Sequence, residues 1–266
     1  MQRKPTKPKA GFKKPGPKTF KPPKIESLPE EMRLNRYVAQ SGICSRRKAV
    51  DLVKAGQVKV NGEIILEPGY IVQPDDVVSY QGKDIKPESK KIYILLNKPK
   101  DTITTLSDEK GRKTVMDIVG RTIKERIFPV GRLDRETTGL LLLTNDGDLA
   151  QKLSHPSFKV KKFYHVTLDR PLLQNDLEAI KKGVELEDGV ISVEGVDYIE
   201  EKPKNEIGIE IHVGKNRIVR RIFEHLGYTV ERLDRTYYAG LTKKDLPRSH
   251  YRVLNEREIV MLKHFT

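Results

Sequence analysis

Gly131-Arg132-Leu133-Asp134-Arg135-Glu136-Thr137-Thr138-Gly139-Leu140-Leu141-Leu142-Leu143-Thr144-Asn145-Asp146-Gly147 joins a charged loop to a run of four leucines. Ile127 to Val130, just before it, has the short apolar character of a strand, and four successive leucines suit a strand covered on both faces. The loop between them is bounded by Gly131 and Gly139, where the backbone can turn sharply or be approached closely. Fixed at both ends by interior strands, such a loop presents its side chains rigidly. Asp134 stands between Arg132 and Arg135, and flanking guanidinium groups favour its ionised form, as a nucleophile or base requires. An R-x-D-R tetrapeptide is by itself more often a structural ion pair at a turn. Arg232-Leu233-Asp234-Arg235 repeats the tetrapeptide without the glycines, the threonine pair or the leucines, so the context alone singles out Asp134.

Outward from this stretch, strand-like runs recur at Ile92 to Leu96, Phe163 to Leu168, Val190 to Val193, Ile207 to Val213, Thr229 to Leu233 and Tyr251 to Leu254. Helical spacing marks Val115 to Val119, Asp148 to Leu153, Leu172 to Lys182, Arg217 to Leu226 and Glu256 to Lys263. Ile207, Ile209, Ile211 and Val213 alternate with Gly208, Glu210 and His212, which gives that strand one wet face. Many strands with few helices, in no strict βαβ rhythm, predict an α+β domain with a mixed or antiparallel sheet over residues 91–266. Val219, Ile222, Phe223 and Leu226 predict an amphipathic helix from Asn216 to just before Gly227, with Arg217, Arg220 and Arg221 in its first turns.

Residues 32–85 read as a separate small module. Leu34, Tyr37 and Val38 fall on one helical face closed by Gly42. Ser45 caps a second helix with Ala49, Val50, Leu52 and Val53 on its apolar side. Val58 and Val60 then alternate into Asn61-Gly62, a strong hairpin signal, and a further strand follows at Val77 to Tyr80. Arg33, Arg36, Arg46, Arg47 and Lys48 surround the two helices. Cations in the first turn of a helix oppose its dipole and ask for an anionic partner such as phosphate, although a solvated charged face is the plainer alternative. Arg33-Leu34-Asn35-Arg36-Tyr37, Gly42 to Ala49 and Gly56 to Gly62, taken in order, resemble the S4 RNA-binding domain.

The chain has 266 residues and a formal net charge of +14, which points to a polyanion. Residues 1–24 carry eight Lys, one Arg, six Pro and no acid, leaving +5 for the rest of the chain. Residues 1–30 therefore read as a disordered basic arm, either a solubilising leader or a segment that neutralises phosphates. The single Cys44 excludes a disulfide framework and fits a reducing, cytoplasmic compartment. No apolar run approaches the roughly 20 residues needed to span a bilayer, and the prolines break any amphipathic presequence. Six scattered histidines and one cysteine offer no metal-ligand spacing, and no phosphate-binding glycine loop or nucleophile elbow occurs, so a reaction without metal or cofactor is expected.

Against that background Gly131 to Gly147 resembles motif II of the pseudouridine synthases, in the ribosomal RNA branch typified by RsuA and RluB. Tyr93 to Pro99 resembles that branch's opening strand, Lys162-Phe163-Tyr164-His165-Val166 its K-x-Y-x-V segment, and Gly214 to Arg221 its G-x-N-R-x-[VI]-R-R segment, with Ile218 where Gln is frequent. The resemblance implies isomerisation of a uridine in ribosomal RNA or a precursor particle, 23S rather than 16S. It implies Asp134 as the catalytic group and neither metal nor cofactor. Tyr164 would lie against the uracil, Arg220 beside Asp134, and Arg132 and Lys162 on the substrate. Nothing in the sequence calls for more than a monomer. The rival reading is a non-enzymatic RNA-binding factor for ribosome assembly, for which Asp134, Tyr164 and Arg220 would have no use.

Overall fold

A computed structural model of the chain describes residues 31–120 and 123–264. The basic arm expected at 1–30 lies outside them. The N-terminal part runs β1 (Met32–Arg33), α1 (Leu34–Gln40), α2 (Arg46–Lys54), β2 (Val58–Val60), β3 (Glu63–Ile64), β4 (Ile71–Val72), β5 (Val78–Tyr80) and β6 (Lys83–Asp84). Leu34, Tyr37, Val38, Ala49, Leu52 and Val53 bury the facing sides of the two helices against Val58, Val60 and Val78, forming a core of their own. Ser45 Oγ accepts from the Lys48 N–H at 3.2 Å, the expected cap of α2. Asn61 and Gly62, at φ 52° and 86°, make the tight turn between β2 and β3.

The larger part contains β7 (Tyr93–Lys98), α3 (Met116–Val119), β8 (Phe128–Pro129), β9 (Thr138–Thr144), α4 (Gly147–Ser154), β10 (Lys162–Leu168), α5 (Gln174–Lys182), β11 (Val184–Leu186), β12 (Gly189–Ile191), β13 (Gly195–Tyr198), β14 (Glu206–Ile211), α6 (Ile218–His225), β15 (Val230–Tyr238), β16 (Leu241–Thr242), β17 (Tyr251–Val253) and α7 (Glu256–His264). One mixed sheet, in the order β13-β14-β10-β15-β9-β7-β17, organises it, with β8 and β16 paired at the side. β9 and β15 are parallel, and the other neighbours are antiparallel. The leucine run is central: Leu141 and Leu143 face one apolar cluster with Ile94 and Leu96, while Leu140 and Leu142 face another with Tyr93 and Leu95. A strand buried on both faces needs just such an unbroken apolar sequence, each fully buried leucine contributing about 1.5–3 kcal/mol. Among the described residues no helix is long and apolar enough to cross a membrane.

Two expectations need correction. The strand predicted to end at Leu233 continues to Tyr238, because β15 is paired on both sides and neighbouring strands cover Asp234 partly and Arg235 fully. The helix predicted from Asn216 starts at Ile218, since Arg217 adopts a left-handed φ of 47° that no α-helix continues.

β9 and β15 meet at Gly139 and Arg235. A Cβ on Gly139 would lie 2.3 Å from the Arg235 carbonyl oxygen and 2.5 Å from its nitrogen, and φ there is +106°. Only glycine lets the strands approach this closely. Gly139→Ala is expected to lower unfolding free energy by about 3 kcal/mol or more, measured by denaturant titration. A loss within experimental error would show that the crossing is not tight.

Candidate active site

The loop between β8 and β9 opens into a cleft of about 250 Å³ whose walls include Arg132, Asp134, Lys162, Tyr164, Arg217 and Arg235. Four of the residues singled out in the sequence, Asp134, Arg132, Lys162 and Tyr164, are thus brought together from segments some thirty residues apart. β10 explains two of them. Its alternation puts Lys162, Tyr164, Val166 and Leu168 on one face, so the strand that buries Val166 and Leu168 also aims Lys162 and Tyr164 into the cleft.

The Asp134 carboxylate is half-buried, and among the described residues no hydrogen bond or ion pair reaches it. Its own backbone is well fixed. Thr137 N–H donates to the Asp134 carbonyl at 3.1 Å, and Asp101 N–H donates to the Arg135 carbonyl at 2.9 Å. Thr104 Oγ1 donates to the Leu133 carbonyl at 2.8 Å. The carboxylate is therefore presented open on a rigid loop.

The expected guanidinium flank is different from the sequence picture. Arg135 turns away and pairs with Asp101 at 3.1 Å, because the loop reverses between Asp134 and Thr137. Arg132 remains exposed at the cleft mouth. Arg220 is 7% exposed beneath the wall; its Nη1 donates to the Val230 carbonyl at 2.7 Å and its Nε is buried without a partner. Burial pushes its pKa down, against the opposing pull of Asp134 and Glu136. No ion pair joins Arg220 to Asp134. Arg217 pairs with Glu224, and Arg221 with Asp188 at 2.7 Å outside the cleft.

Two residues of the site were missed in the sequence. Lys98 is fully buried at the end of β7, where Nζ donates to the carbonyls of Pro99, Arg135 and Thr137 at 3.1, 3.2 and 2.7 Å. Burial pushes its pKa down to about 8, with Asp134 pulling the other way. The available signal was a lysine ending an otherwise apolar buried strand just before proline. Arg235 belongs to the tetrapeptide set aside for lacking context. Its chain neighbour Asp234 accepts from Thr138 Oγ1 at 2.8 Å and pairs with Lys243 and with Arg248, so the second tetrapeptide braces the strand that leaves the first.

β1 and α2 of the S4-like part present Arg33, Arg46, Arg47 and Lys48 at the surface. Arg36 does not join them, because its Nη2 donates to Asp148 Oδ2 of α4 at 2.5 Å, across the junction of the two parts. Glu88 reinforces this junction, taking a hydrogen bond from Asn145 Nδ2 at 2.9 Å while its N–H donates to the Gln40 carbonyl at 2.9 Å.

Lys98→Met would leave three loop carbonyls without their donor. A loss of about 3 kcal/mol is expected on denaturation, with faster amide exchange in residues 131–137. Unchanged exchange would remove Lys98 from any role in fixing the loop.

A family model for RNA pseudouridylate synthase matches residues 92–225, and one for the S4 domain matches residues 32–78. The chain is 38% identical over 234 residues to the ribosomal large subunit pseudouridine synthase B of Bacillus subtilis (strain 168), covering 87% of this chain and 95% of that protein. It is 34% identical over 238 residues to the dual-specificity RNA pseudouridine synthase RluF of Escherichia coli (strain K12), covering 88% and 80%. A crystal structure of a pseudouridylate synthase superposes with a TM-score of 0.62 at 26% identity, over 87% of this chain and 99% of that one. The match spans the opening strand, the Asp134 loop, β10 and the start of α6, so the chain belongs to the RNA pseudouridine synthase family and carries an S4 domain ahead of its catalytic part.

Proposed function

We propose that the chain converts a uridine of ribosomal RNA, in the 23S molecule or its precursor particle, into pseudouridine, with Asp134 as nucleophile or base at the ribose–uracil junction. The observation that carries this reading is the open Asp134 carboxylate on a braced loop, facing Tyr164 and Lys162 across one cleft. A half-buried acid with no partner of its own is available to a substrate. Tyr164 offers a flat face for the uracil, Lys162 and Arg132 offer donors, and Arg220 contributes positive potential from behind the wall. A stacked base must be extruded to reach such a pocket, at a cost of a few kcal/mol. Phosphate contacts from Arg33, Arg46, Arg47 and Lys48 on residues 32–85 would offset that cost and set register for the catalytic part, residues 91–266. The large-subunit relative favours 23S as the substrate. The reading places the enzyme in the cytoplasm, acting as a monomer.

Asp134→Asn tests it. With ribosomal RNA as substrate, conversion is expected to fall by about 10⁴-fold or more while RNA affinity holds. Retention of the parental rate would end the assignment of Asp134, and a parent inactive on every ribosomal RNA would favour the RNA-binding factor instead. Nucleotide-resolution mapping in cells with and without the gene locates the site.

The Arg36–Asp148 bridge makes a second expectation. Asp148→Asn frees a guanidinium in the S4 part and removes an acid, so RNA affinity should rise by about two- to fivefold in filter binding, the scale of one surface ion pair. A fall would mean that the bridge holds the S4 part in its binding orientation.

A further inference from the structure

Two cations line the same cleft as Asp134 with no ion-pair partner among the described residues. Lys162 Nζ donates to the His212 carbonyl at 2.6 Å, which uses one of its three protons. Arg235 is 3% exposed; its Nε donates to the Leu140 carbonyl at 2.7 Å, and its guanidinium carbon lies 4.5 Å from the centre of the Tyr238 ring. Its Nη2 is buried with no partner, and both side chains line the cleft. Among the described residues neither cation enters an ion pair. The two also repel: burial first, and then Arg235, push the Lys162 pKa down to about 8, opposed by Glu194. Holding two desolvated like charges together is unfavourable unless an anion arrives between them. Backbone phosphates do not require it, since exposed arginines such as Arg33, Arg46 and Arg47 suit those.

Resting on the proposed isomerisation, we propose that Lys162 and Arg235 form a cationic pocket for the uracil anion released when the N1–C1′ bond breaks. The bonding pair leaves on N1 and spreads onto the O2 and O4 oxygens. The deficit at C1′ is met by Asp134, through a bond to its carboxylate or through loss of the C2′ proton to it. After the ring turns, the C5–C1′ bond forms, displacing the carboxylate or returning that proton to C2′, and the C5 proton is replaced by one on N1. Substrate and product are isomers, so no co-reactant is needed. Neutral uracil gains less from two cations than its anion does, so the pair acts on the transition state and not on binding.

The test uses the full-length enzyme on its ribosomal RNA. Lys162→Met is expected to lower kcat by about 10²–10³-fold, the scale of one preorganised donor, with KM and equilibrium RNA affinity within about threefold. Lys162→Arg, which keeps the charge and the bond to His212, should recover most of kcat. In the parent, kcat should fall as pH rises through about 8, where Lys162 loses its proton. The groups facing it are Arg235 and Tyr238 of β15, His212 and Glu194 beside β14, and Asp134 and Arg217 on the cleft walls. Lys98 titrates in the same range, and Lys162→Arg separates the two by removing the Lys162 contribution to the alkaline decline. Arg235→Lys gives an independent arm, with kcat again lowered more than KM. If Lys162→Met raises KM with kcat intact, or leaves both unchanged, the anion pocket is wrong although Asp134→Asn still abolishes conversion. If Asp134→Asn is active, the assignment of Asp134 fails first, and if the parent converts no uridine, the isomerisation reading itself fails.

Discussion

The close parallel approach of β9 and β15 at Gly139 and Arg235 is the constraint on which the site depends. It brings the end of the Asp134 loop and the middle of β15 within backbone contact, although they are almost a hundred residues apart. The leucine run then anchors the loop in two apolar clusters, and Asp234, held by Thr138, Lys243 and Arg248, locks the neighbouring strand. With both strands fixed, the loop needs only local hydrogen bonds from Lys98, Asp101 and Thr104 to hold Asp134 in one place. Preorganisation of this kind is what the proposed role of Asp134 calls for, because it leaves little rearrangement for a reaction step.

The electrostatic layout follows the same logic. Many acids of the larger part are already engaged: Asp101 with Arg135, Asp188 with Arg221, Asp148 with Arg36, Glu224 with Arg217. Asp134 is left open. Lys162 and Arg235, which line the same cleft, and Arg220 behind it are bonded only to carbonyls. Positive charge without ion-pair partners is therefore gathered at the cleft, and the S4 part carries a separate exposed set. The net charge of +14 divides into these uses and the basic arm.

Much of this was legible in the sequence where a pattern reflects a local constraint. Asn61-Gly62, Ser45 and the leucine run each fix their own neighbourhood, and each formed as expected. Asp134 stood out because glycine boundaries frame its loop, whereas Lys162 and Tyr164 stood out through the family resemblance, strand alternation placing Tyr164 only on the face it shares with Val166 and Leu168. What could not be read depends on partners distant in the chain. Arg36 looks like any RNA-facing arginine until Asp148 is placed opposite it, and Arg135 looks like a flank of Asp134 until Asp101 is seen. Arg235 was discarded because its tetrapeptide lacks glycines, yet the glycine it needs, Gly139, sits on the other strand. Hydropathy hid the second half of β15 for the same reason, since Asp234 is partly and Arg235 fully covered by neighbours that the local sequence does not reveal.

The central claim is that Asp134 meets the ribose of an extruded uridine inside the cleft. A crystal structure of the chain with an RNA carrying the target uridine tests it most directly. The account predicts the base out of the stack against Tyr164, with C1′ or C2′ roughly 3–3.5 Å from the Asp134 carboxylate, near-attack distance, and with O2 or O4 facing Lys162 and Arg235. A target base still stacked in the RNA, or an Asp134 carboxylate tied to Arg220 with the ribose out of reach, would contradict it.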